Sequence, residues 1–141
     1  MKTRLLPLVL VPLVTLAGCG SEVPQARQFS DMADWNDEID NRTDLVCKQR
    51  RVVDPAPEEK YRSECIDDKG RKALLTMYRN GADKINAVDD LKDNQFAPAM
   101  LPAILVGPNW TVKCLDEDGQ KMCEQWQGEI GGDIRNPPDY D

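Results

Sequence analysis

The chain has 141 residues, 25 acidic and 18 basic, no histidine, and a net charge of −7. That length is enough for one domain, and the acidity argues against nucleic acid or an anionic membrane surface as a partner. Without histidine there is no Ser-His-Asp or Cys-His nucleophile system, no histidine general base and no ordinary catalytic zinc site.

Lys2 and Arg4 precede an apolar run from Leu5 to about Leu16 that is almost entirely Leu, Val and Pro. A dozen such residues make the core of a secretory leader, too short for the about 20 a spanning helix needs. Pro7 and Pro12 weaken a helix further. Leu16-Ala17-Gly18-Cys19 then reads as a lipoprotein cleavage and attachment site. The expectation is a leader over 1–18 and diacylglycerol with palmitate-type chains on the Cys19 thiol, because two or more chains anchor stably where one is marginal. Gly20, rather than Asp, follows the cysteine. In a Gram-negative cell this favours the outer membrane, and in a Gram-positive cell the outer face of the plasma membrane. The leader carries two basic residues and no acid, so the remaining chain sums to about −9.

Residues 19–28 are polar, contain Pro24 and are expected to form a lipidated tether. The expected domain spans 29–135. Phe29, Met32, Trp35 and Ile39 recur at helical spacing, with Ser30 or Asp31 as cap. Leu45–Val53 and Lys60–Ile66 read as strands around the Pro55-Ala56-Pro57 turn. Asp67-Asp68-Lys69-Gly70 turns into a third strand, Lys72–Tyr78. Asn80 caps a helix carrying Ala82, Ile85, Val88 and Leu91. Phe96–Pro102 is expected to be irregular. Ala103–Val106 is a continuous apolar run and so a buried strand. Gly107-Pro108-Asn109 interrupts it as a turn or bulge, and Trp110–Cys114 resumes it. Asp116–Ile130 is the last helix, with an acidic start and a Gly131-Gly132 stop. Ile134 is a candidate for brief pairing with the sheet, and 136–141 is a polar tail. The expected fold is α+β: an antiparallel sheet of about four strands in the order α-β-β-β-α-β-α, with helices on one face.

Four cysteines follow Cys19: Cys47, Cys65, Cys114 and Cys123. In a small exported domain they suggest two disulfides, for which three pairings exist. Cys47 and Cys65 flank the expected hairpin, and Cys114 ends a strand just before the helix holding Cys123. This favours 47–65 with 114–123. The chain has no Cys-x-x-Cys pair, which argues against zinc.

Val106-Gly107-Pro108-Asn109-Trp110-Thr111-Val112, followed by a helix closed by Gly131-Gly132, resembles a group of small actinobacterial and actinobacteriophage lipoproteins. The resemblance covers about Met32 to Ile134. It implies a fold and an extracytoplasmic address but no catalytic residues. This chain departs from the pattern in its second cysteine pair, Cys114 and Cys123.

Little else in the sequence suggests chemistry. Ser30 and Ser63 lack the context of a nucleophile elbow. The carboxylates Glu58, Glu59, Asp116 and Glu117 read as solvated or capping acids rather than a glycosidase pair. Asp116-x-Asp118-Gly119 lacks the ligand spacing of a calcium loop. Lys48, Arg50 and Arg51 read as a charged guard on a strand edge. Asn41-Arg42-Thr43 and Asn109-Trp110-Thr111 match glycosylation sequons by pattern alone. Gly107, Pro108, Asn109 and Trp110 are the candidate partner surface, with the competing reading that Trp110 fills the core beside Trp126. No metal or cofactor is expected, and no nucleic acid. The expected domain is a monomer acting by binding or structural support in the cell envelope, with an envelope or secreted protein as the possible partner. Two alternatives are a phage- or mobile-element-encoded block to superinfection and an inhibitor or immunity protein against a secreted hydrolase.

Overall fold

A computed structural model describes residues 22–42, 45–93, 101, 103–115 and 117–136. The leader, Cys19, Asp116 and most of the 96–102 and 136–141 segments lie outside them. Among the described residues the fold is α+β, with three helices and one six-stranded antiparallel sheet in the order β1-β2-β3-β5-β4-β6.

Helix α1 (Met32–Asp40) starts where Asp31 accepts the Asp34 amide at 2.9 Å, and it buries Trp35 and Ile39 one turn apart. Strands β1 (Gln49–Val53), β2 (Glu59–Ile66) and β3 (Lys72–Tyr78) form the expected meander. The β2–β3 turn is built on Asp67. Its carboxylate accepts the Lys69 and Arg71 amides at 2.9 and 2.8 Å and the Arg71 guanidinium at 2.6 Å. Gly70 completes that turn at φ 77°, a conformation that favours glycine. Helix α2 (Gly81–Asp93) is capped by Asn80, which accepts the Asp83 amide at 2.9 Å.

Strands β4 (Ala103–Val106) and β5 (Trp110–Cys114) are separate strands that fold back on one another as a hairpin. Helix α3 (Gly119–Ile130) begins later than the acidic run suggested, at Gly119. Gly131 ends it, and β6 (Asp133–Arg135) pairs with the free side of β4. The expected four strands therefore become six: the interrupted strand is a hairpin, and the Ile134 segment is a strand.

The helices lie on both faces of the sheet, not on one. Ala103 and Leu105 of β4 join a core with Leu75, Val112, α1 and α3, whereas Ile104 and Val106 join a smaller core with Val88 and Leu101, flanked by Leu91. Alternate residues of a strand point to opposite faces, so an unbroken apolar run signals cover on both. Ile85, expected on the apolar face of α2, is 54% exposed, whereas Val88 of the same helix is buried against Ile104 and Val106.

Disulfides join Cys47 to Cys65 and Cys114 to Cys123, with Cα separations of 5.2 and 6.0 Å. The first staples the segment just before β1 to β2, and the second ties β5 to α3.

Candidate functional site

The Gly107–Trp110 segment faces inward except at Pro108. Gly107 donates its amide to the Trp110 carbonyl at 2.9 Å, closing the β4–β5 hairpin. A Cβ on Gly107 would lie 2.0 Å from Trp110 Cε2, so only glycine lets the indole fold back over the turn. Trp110 is fully buried, its ring 5.4 Å from that of Trp35 and 6.1 Å from that of Phe29. Phe29 and Trp35 stack at 5.6 Å. The aromatic neighbours of Trp110 are thus Phe29 and Trp35 rather than Trp126. Such packing of offset and tilted rings adds to the burial of their large apolar surface.

Asn109 is 5% exposed. Its Oδ1 accepts the Phe29 amide at 3.2 Å, and its Nδ2 donates to the Phe29 carbonyl at 2.9 Å. One side-chain amide thus satisfies both backbone groups of a buried residue 80 positions away, as a neighbouring strand would. Trp110 Nε1 donates to the Arg27 carbonyl at 2.9 Å. Further along, Gly131 (φ 75°) lies so close to the segment 24–29, here called the strap, that a Cβ there would be 2.2 Å from the Pro24 carbonyl oxygen. Arg27 covers the Phe29 ring at 4.3 Å and pairs with Asp34 at 3.1 Å.

Residues 24–29, expected in the tether and at the domain boundary, are therefore clasped to the domain along their length. The glycines and the Asn-Trp pair of the motif form the receiving side of that clasp. Sequence reasoning missed this role because the contacts span 80 residues and leave no local periodicity. The available signal was Phe29, an aromatic just outside the helix, together with an asparagine inside an otherwise apolar hairpin.

A cleft of about 440 Å³ opens beside the clasp. It is lined by residues 23–26, Lys84 of α2, the Gly107-Pro108 turn, and Asp133 and Arg135 of β6. Lys84 Nζ donates to the Gly107 carbonyl at 3.0 Å. Burial, and then the Arg135 charge, pull the Lys84 ammonium below the usual lysine range, while Asp133 opposes them.

The remaining candidates are scattered. Glu59 is buried, accepting the Ala56 amide and pairing with Arg62, while Glu58 is exposed. Arg50 pairs with Asp40 at 2.9 Å and Arg51 with Glu64 at 3.3 Å, on the outer strand β1. Tyr78 and Thr111 share a hydroxyl contact of 3.3 Å on the second sheet face, where burial raises the Tyr78 pKa and lowers that of Lys113. Among the described residues no group of three or more Cys, Asp or Glu is placed to hold a metal ion, and no helix is long and apolar enough to cross a membrane. Comparison with known protein families, curated proteins and solved structures found no match.

Proposed function

We propose that the protein is a lipid-anchored, non-enzymatic component of the extracytoplasmic envelope that acts by binding or structural support. The observation that carries this reading is the N-terminal sequence: two basic residues, a dozen apolar ones, then Leu16-Ala17-Gly18-Cys19. Two disulfides in a small domain suit an oxidising compartment. The clasp supports the same reading. A chain that enters the domain through a fixed strap transmits any anchor at Cys19 to the core, instead of leaving the domain on a loose leash. The absence of histidine supports a non-catalytic role.

Intact mass of the protein purified from the membrane fraction tests this. The expected species begins at Cys19 and carries diacylglycerol on its thiol. A soluble species with an unmodified Cys19, or one retaining the leader, overturns the anchor.

A further inference from the structure

We infer that the outer edge of β1 is a docking site for an extended segment of a partner protein in which acidic and apolar residues alternate, added to the sheet as a further strand. The inference rests on the binding role proposed above and specifies its surface.

The backbone is the first argument. Among the described residues β1 is paired with β2 alone, and that register runs from Gln49 to Val53 without a shift. No proline or bulge interrupts the strand. Alternate amides and carbonyls along its outer side are therefore open to pairing with an added strand. The opposite edge, β6, has three residues, the short form that discourages such pairing.

The second argument is where the side chains go. The expected charged guard is drawn aside: Arg50 reaches Asp40 of α1 at 2.9 Å, and Arg51 reaches Glu64 of β2 at 3.3 Å. Both contacts run inward over the domain rather than outward across the edge. Val52, next along the strand, is 82% exposed. A recess of about 270 Å³ opens at the same place, lined by Gln49, Arg50, Arg51, Glu64 and Ile66. It gives room to side chains of an added strand.

Charge selects the occupant. Lys48 to Val53 holds three cations and no acid, in a chain of net charge −7. Lys48 is exposed and has no hydrogen bond or ion pair among the described residues. Arg51 gives one nitrogen to Glu64 while its side chain stays 74% exposed, so other donors of its fork remain for a second carboxylate. Arg51 shares one sheet face with Glu64, and Val52 shares the other with Ser63. An acid opposite Arg51 extends a Glu-Arg-acid row, and an apolar residue opposite Val52 covers it. These are successive positions of the added strand, hence the alternation. A second copy of this chain fits worse. Full antiparallel overlap of β1 with itself sets Arg51 against Arg51, like charges directly opposite.

The test uses the full-length protein in detergent and a short capped peptide alternating Val and Glu, read by amide NMR. Saturation should shift the amides of Gln49–Val53 and slow hydrogen exchange at alternate ones, leaving Phe29 and Asn109 unchanged. A twin peptide with Lys in place of Glu should bind several-fold more weakly. The Arg51→Gln protein should bind the Glu peptide roughly two- to fivefold more weakly. A twin with methylated backbone amides should not bind. No shift at Gln49–Val53, or equal binding of the methylated twin, overturns strand addition. Equal binding of the Lys twin, or undiminished binding by Arg51→Gln, overturns the acidic partner. Slowed exchange of the β1 amides in the protein alone, as its concentration rises, would show a second copy on the edge and overturn the partner assignment. None of these results alters the mass at Cys19, so the anchor is judged separately.

Discussion

The two edges of the sheet are built on opposite principles. Around β4, β6 and the Gly107–Trp110 turn, glycines admit close backbone approach, three aromatic rings pack together, and a distant segment is bonded at both its amide and its carbonyl. Trp110 there is fully buried. At the other edge, β1 pairs with one neighbour only, Val52 is 82% exposed, and the Arg51 side chain is 74% exposed. The contrast shows where the molecule is made rigid and where it is left accessible. The rigid edge receives the chain from Cys19, and the accessible edge lies about 24 Å away. On the anchored reading proposed above, the first edge is where the domain would be held and the second where it would be approached.

The comparison can be broken hardest at Gly107. Gly107→Ala places a methyl inside the Trp110 ring, and relief requires moving a fully buried indole out of its aromatic cluster. A loss of about 3 kcal/mol in denaturant unfolding is expected, the upper range for overpacking. Gly128→Ala, on an open helical position with nothing within 4 Å, should instead gain about 0.5–1 kcal/mol. If both changes are neutral, the turn is looser than its geometry requires.

Asn109→Ala comes next. It leaves the Phe29 amide and carbonyl buried without partners, for a loss of about 2–3 kcal/mol, the low end of about 1–3 kcal/mol for each of the two orphaned groups. Limited proteolysis should then cut within residues 24–29 before the sheet unfolds. Cutting elsewhere first would show that Asn109 is not what holds the strap.

The β2–β3 turn gives a pH test. Desolvation at Asp67 is outweighed by the Arg71 amide and guanidinium and the Lys69 amide, which hold its carboxyl below the usual range. A depressed folded pKa stabilises the protein above the unfolded value near 3.9 and loses that contribution as pH falls through the folded value. Asp67→Asn should therefore flatten the acid limb of the stability profile and leave the neutral-pH shape unchanged. An acid limb as steep as in the unmodified protein would contradict the assignment.

The smallest effect is expected at the open edge. Val52→Thr and Arg51→Gln should each change stability by no more than about 0.5 kcal/mol, because neither side chain is packed. A larger loss at either would show that β1 is covered in solution.

How much the sequence disclosed follows the same division. The meander and the Cys47–Cys65 disulfide of the accessible half, like the Asn80 cap of α2, depend on local spacing and turn chemistry, and each was legible in the sequence. At the rigid end, the continuous apolar run Ala103–Val106 signalled burial on both faces, yet which elements supplied the cover was set by long-range packing. The pairing of β6 with β4 joins strands on either side of a helix, which periodicity does not encode. Gly107 and Trp110 stood out as a motif. Their purpose did not, because Arg27, Phe29 and Asn109 meet only in the folded chain.

The central claim is that the Gly-Pro-Asn-Trp segment is an internal clasp for the N-terminal strap. Hydrogen exchange of the Trp110 indole and the Phe29 amide, followed by NMR, addresses it most directly. Both groups should exchange as slowly as the amides of β3 and β5, near the limit set by global unfolding. Exchange of either at the rate of an open chain, while β3 and β5 remain protected, would mean that the strap is not held and the clasp is wrong.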